Sequence, residues 1–197
     1  MTDSFKNGNH SMASRSALII MLIVAFNVSL LQSSEKSQQL EIMLKLITQN
    51  QSLKLTPEDS LHVWVQTEAD SAESNRLMNT LQRLSKNSEF NIPFSFYRIQ
   101  SVENALSALN SPDAVLFLNS QTIPLSREVR DFHRLGAVTV TNMPDYMDIG
   151  VSIAVQKDST DQEIIWLNPR AVEQAGARFS TDVLQLTKTR YARGSEL

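Results

Sequence analysis

Between residues 61 and 141 the sequence alternates short apolar runs of β-type residues with longer stretches whose apolar residues recur three and four apart. Leu61 to Gln66 alternates around Val63, Trp64 and Val65 and predicts a strand. Ala69 to Lys86 sets Leu77, Met78, Leu81 and Leu84 on one face and predicts a helix. Ile92 to Ile99 is an aromatic and apolar strand, Val102 to Leu109 a short helix, and Ala114 to Leu118 a third strand introduced by Ser111-Pro112-Asp113. Pro124 to Leu135 is a helix with Gly136 at its C-terminal cap, and Ala137 to Thr141 is a fourth strand. Such alternation requires parallel strands joined by right-handed crossovers. The expected class is therefore α/β: a three-layer sandwich around a mainly parallel sheet.

The flanks complete this frame. Ser33 to Gln39 is polar and reads as a linker. Leu40, Met43, Leu44 and Ile47 then mark a first helix over about 37–50, and Thr56 to Asp59 is turn chemistry. Ile149, Val151, Ile153 and Val155 follow a period of two and predict one strand. Glu163 to Leu167 predicts its antiparallel partner, with Lys157 to Asp161 as the turn and the hairpin at the sheet edge. Ala171 to Gln174 is a short helix closed by Gly176. Ser180 opens a last helix holding Val183, Leu184 and Leu186. Residues 35–197 thus read as one α/β domain.

Residues 1–34 have another character. Ala17 to Phe26 is continuously apolar, the run reaches Leu31 if Asn27 and Ser29 are tolerated, and Lys6 and Arg15 precede it. This is the layout of a signal peptide, short for a spanning helix of about 20 residues. A cleaved signal and an uncleaved N-terminal anchor both place the remainder outside the cytoplasmic membrane, in a periplasm. A buried core helix is the third reading. Met12 is an alternative start.

The chemistry available is limited. With 18 basic and 21 acidic residues the formal charge is -3, which provides no field for nucleic acid. Five glycines form no phosphate-binding loop, and the lack of cysteine removes thiol catalysis, disulfides and thiolate metal sites. No Gly-x-Ser-x-Gly elbow is present. Of three histidines, His10 lies in the leader, His62 in a strand and His133 late in a helix; none groups with carboxylates as a zinc site requires. Glu58/Asp59 and Asp158/Asp161 read as turn acids. Asp145/Asp148 follow the fourth strand, where parallel sheets place ligands. Lys188, Arg190 and Arg193 read as the basic end of the last helix. Phe94 and Phe96 share a strand face opposite Tyr97. No catalytic, metal or cofactor residue is expected.

Near the C-terminus, Ile165-Trp166-Leu167-Asn168, Ala171, Ala175-Gly176, Phe179-Ser180-Thr181 and Val183-Leu184-Gln185-Leu186 follow one another in order. Upstream stand Val138 to Asn142, Tyr146 and the strand from Ile149. Together these resemble the YfiR-like periplasmic proteins over roughly residues 37–189. Pro169 replaces the usual leucine, Gly150 stands where the family has paired glycines, the aromatic first-helix motif is missing, and so are the cysteines some members carry. The resemblance implies a noncatalytic repressor that contacts the periplasmic part of an inner-membrane diguanylate cyclase or sensor kinase in cyclic-di-GMP signalling, with a homodimer left open. It marks Asn168, Gly176, Ser180 and Leu184 as motif residues of structural role, with Asn168 capping a helix that begins at Pro169. The alternative is a periplasmic small-molecule-binding sensor module, because a parallel sheet offers a crevice at its strand ends.

Overall fold

The computed structural model describes residues 36–53, 59–67, 71–87, 89–100, 111–118 and 126–192. Met1–Gln38 and Gln39–Leu197 are separate compact units, and the fold below belongs to the second. The apolar run 17–31, the turn residues 56–58 and the expected helix over 102–109 lie outside the described residues.

Helix α1 covers 36–48, so Lys36 to Gln39 are helical rather than linker. Strand β1 (Leu61–Gln66), helix α2 (Ala72–Leu84), strands β2 (Phe94–Ile99) and β3 (Ala114–Phe117), helix α3 (Ser126–Arg134) and strand β4 (Val138–Thr141) follow. A 3-10 helix spans Pro144–Ile149. Then come β5 (Ile153–Lys157), β6 (Glu163–Leu167), α4 (Pro169–Gln174), α5 (Thr181–Gln185) and β7 (Thr187–Thr189). The seven strands form one sheet in the order β2-β1-β3-β4-β5-β6-β7. β1 to β5 are parallel and β6 pairs antiparallel with β5.

Strand alternation divides the core into two layers. Leu61, Val63 and Val65 of β1 and Ala114 and Leu116 of β3 face one side, with Met43, Leu44 and Ile47 of α1 and Met78 and Leu81 of α2. Trp64, Val115 and Phe117 face the other, with Val129 and Phe132 of α3 and Tyr146. The Trp64 and Phe132 rings meet edge to face at 5.9 Å. Phe94 and Phe96 stack at 5.6 Å on the α2 face, and Tyr97 lies on the other. Helices thus cover both faces, as the sequence pattern predicts for a three-layer α/β sheet.

Three expectations fail locally. The period of two from Ile149 does not make one strand. Pro144 opens the 3-10 turn, Gly150 ends it at φ 103°, and β5 begins only at Ile153. The early members, Ile149 and Val151, still pack, but against the α3 layer. Helix α2 starts at Ala72, not Ala69, because Ser71 is its N-cap and accepts from Ser74 N at 3.0 Å. The last helix is the largest miss. It stops at Gln185, and Thr187–Thr189 pair parallel with β6, so β7 rather than the hairpin forms the sheet edge. β-Branched Thr187 and Thr189 favour that exit. Val183 and Leu184 lie in the helix as expected, Leu186 is its C-cap, and Leu184 and Leu186 are exposed, at 44% and 73%. The helix-dipole account of the basic tail fails with it: Lys188 lies on β7 over the Trp166 ring, and Arg190 pairs with Asp148 at 3.0 Å.

Candidate functional site

β1 lies between β2 and β3, and the helices that follow β1 and β3 in sequence, α2 and α3, pack on opposite faces of the sheet. The C-terminal strand ends at such a divergence are the place where open α/β sheets bind ligands. Gln66 closes β1 there, between Ile99 of β2 and Phe117 of β3. It is 3% exposed, and its Oε1 is sealed without a hydrogen-bond partner. Its register places it on the Trp64 side, and Trp64 Nε1 is likewise sealed and unpartnered. Among the described residues at these strand ends, three hydroxyls are occupied. Ser74 Oγ donates to Thr67 Oγ1 at 2.9 Å, while Thr141 Oγ1 donates to the Phe117 carbonyl at 2.7 Å and accepts from Met143 N.

A second polar cluster lies at the opposite ends of the strands. His133, late in α3, is buried, and its Nε2 lies 2.9 Å from Thr139 Oγ1 and 3.0 Å from Ser152 Oγ. The two hydroxyls are 3.1 Å apart, and Ser152 N donates to Thr139 Oγ1. Burial lowers the His133 pKa to about 4, against a weaker raising effect of the Gln174 side chain. The imidazole is therefore neutral at pH 7. Ser152 and Thr139 are both wholly buried, so a substrate cannot reach this serine–histidine pair. The cluster locks α3 to the starts of β4 and β5.

The remaining sequence candidates are dispersed. Asp145 is exposed, while Asp148 turns to Arg190, so these two acids do not converge. His62 packs edge to face on Tyr97. Asp158 accepts from the Thr160 hydroxyl and from the backbone N–H of Gln162 and Thr160; these bonds hold its carboxyl below the usual range. Asp161 sits in the same turn at φ 68°. Of the motif residues, Asn168 is buried and its side chain accepts from Ala171 N at 3.3 Å, with Pro169 at the start of α4. Gly176 follows α4 at φ 63°, Ser180 Oγ accepts from Val183 N, and Leu184 faces solvent. Asn168, Gly176 and Ser180 scaffold the C-terminal block. Among the described residues no three His, Cys, Asp or Glu side chains group as a metal site. An open groove of about 450 Å³ lies at the outer sheet edge, between Gln82 of α2 and Lys86 just beyond it and Phe94 and Tyr97 of β2.

Sequence reasoning passed over Gln66. Its signal was available: a polar residue closing a strand that the alternation already marked as central and parallel.

Solved structures share this architecture. The chain matches a conserved domain protein from Vibrio cholerae with a TM-score of 0.56 and 14% identity, covering 76% of this chain and 59% of that one. It matches the ABC domain from Streptococcus pneumoniae solved in complex with L-Trp, with a TM-score of 0.54, 11% identity, and coverage of 78% and 59%. It also matches a ligand-free, open substrate-binding protein with adhesive properties from Clostridium difficile, with a TM-score of 0.51, 7% identity, and coverage of 70% and 56%. The chain shares its fold with these proteins. The likeness is one of fold, distant in sequence, and the chain spans less than two thirds of the length of each of these proteins. No family model and no curated protein matches the sequence. Among the described residues no helix is long and apolar enough to cross a membrane.

Proposed function

We propose that the α/β domain is a noncatalytic small-molecule-binding module that works outside the cytoplasmic membrane. The observation that carries this reading is the β1–β3 switch point, in a sheet similar in fold to an ABC domain solved with L-Trp and to a substrate-binding protein. The charged apolar leader, with Lys6 and Arg15 before residues 17–31, supports export by cleavage or anchoring. The inaccessible Ser152–His133 pair and the scattered acids support binding without catalysis. Native mass spectrometry of the protein isolated gently from a bacterial envelope tests the reading. A retained small molecule, lost on partial denaturation, is the expected result. A bare polypeptide mass that no metabolite extract shifts would refute it.

A second reading follows the C-terminal block from Ile165 to Leu186. There the protein is a YfiR-like regulator that restrains a membrane diguanylate cyclase or sensor kinase through contact. Leu184, Leu186 and Tyr191, all exposed beside the edge strand β7, favour it. The two readings combine if ligand occupancy sets the contact. Affinity capture from solubilised envelope distinguishes them: recovery of a cyclase or kinase that Leu186→Asp abolishes supports the regulator, and recovery unaffected by that change counts against this surface.

A further inference from the structure

We propose that the outer edge of β2 is a docking strand for an extended, acidic segment of a partner protein. This surface is the sheet edge itself, not the strand ends of the switch point. β2 ends the strand order, with β1 on one side only. The Pro93 and Ile99 carbonyls accept from Leu61 N at 2.9 Å and Thr67 N at 3.3 Å. Backbone direction alternates along a strand, so Ser95 and Tyr97 also turn to β1, while the N–H and C=O groups of Phe94 and Phe96 point outward. Such a row of backbone groups is a template for an added strand.

The two ends of the sheet differ in their defences. β7 has three residues and carries Lys188. β2 has six, and its single charge, Arg98, is drawn onto α2 by Asn75 at 2.6 Å instead of standing guard. Phe94 to Arg98 are half-buried, and Phe94 and Phe96 stack at 5.6 Å beside the groove of about 450 Å³. Gln82, Ser85 and Lys86 form the opposite wall, so the groove follows the strand edge between β2 and the end of α2.

Charge selects the occupant. Lys86 lines the groove, Arg83 is exposed beside it, and Arg98 lies at the far end of β2. Of the nearby acids, Glu89 is held by Lys45 of α1 at 2.6 Å, and Glu73 belongs to the first turn of α2, away from the groove. A second copy pairing antiparallel about Phe96 would bring its Arg98 toward Lys86, cation against cation. An acidic strand meets Lys86 with the opposite charge.

The test titrates the full chain with a labelled short peptide that alternates valine with glutamate, and reads fluorescence anisotropy and amide NMR. The glutamate peptide should bind on the order of 10-fold more tightly than its lysine counterpart, and salt should weaken it. Amide shifts should centre on Phe94 to Arg98. Lys86→Glu, an exposed change that should leave the Tm unaltered, should lose about 10-fold in affinity. Two peptides methylated on alternate backbone nitrogens, in the two possible registers, test strand addition: at least one should fail to bind, because its ladder donors are gone. Absence of binding, equal binding of the lysine peptide, shifts away from β2, or undiminished binding of both methylated peptides would overturn the proposal. So would a chain that sediments as a dimer with its Phe94 and Phe96 amides protected from hydrogen exchange, since a second copy then occupies the edge.

Discussion

The buried His133 cluster makes stability depend on pH in a way that one substitution can isolate. Burial holds the folded-state pKa near 4, while the unfolded chain titrates near 6.5. Above pH 6.5 both states carry a neutral imidazole and the group contributes no pH dependence. Below it the unfolded state binds a proton that the folded state refuses, so stability falls as pH drops from 6.5 toward 4. The full loss is about 3 kcal/mol, of which about 2 kcal/mol is gone by pH 5, since each pKa unit is worth about 1.4 kcal/mol. Urea denaturation of wild type and His133→Gln at pH 7, 6, 5 and 4 reads this directly. The variant loses packing and hydrogen bonding at every pH, but the wild-type minus variant difference should shrink by about 2 kcal/mol between pH 7 and pH 5. Carboxylates elsewhere cancel in that difference. A difference that stays constant across the series would mean that His133 titrates normally, and the buried-cluster account would be wrong.

Three further outcomes follow from local geometry. Asn168→Ala removes the acceptor for Ala171 N and should cost about 1 kcal/mol in urea denaturation, with Asn168→Ser recovering most of it. Gly150→Ala meets no atom within 4 Å but must hold φ 103°, so strain alone should cost about 1–2 kcal/mol and lower the Tm. Phe132→Ala empties a site shared with Trp64 and Phe117 and should cost about 3–5 kcal/mol, with near-ultraviolet circular dichroism reporting a loosened Trp64.

The sheet was legible because it rests on periodicity. Leu61–Gln66 needed no revision, and Ala114 and Val138 start strands within a residue of expectation, since buried parallel strands are short apolar runs between turn residues. The failures arise where local pattern and tertiary position conflict. Ile149 and Val151 keep the strand period although Pro144 and Gly150 force a 3-10 turn, and the period then describes packing rather than pairing. Thr187–Thr189 is too short for periodicity to register; its pairing with Ile165–Leu167 is a long-range fact. The switch point between β1 and β3 was legible in outline from the strand alternation alone. Asp145 and Asp148 drew attention there by charge, yet one faces solvent and the other joins Arg190. Gln66 was legible as a polar strand end, but its burial between Ile99 and Phe117 depends on β2 and β3, distant in sequence. The His133–Thr139–Ser152 cluster escaped for the same reason, since it brings three elements together.

The central claim is that a small molecule binds at the C-terminal ends of β1 and β3. Amide NMR of the nitrogen-15-labelled chain, titrated with the small molecule that most raises its Tm, tests it most directly. The account predicts saturable shifts concentrated at Gln66, Thr67, Ser74 and Leu118, with His133, Ser152 and Asn168 at the far end unmoved. Shifts centred instead on the groove between Lys86 and Phe94, or on Leu184 to Tyr191, would contradict it.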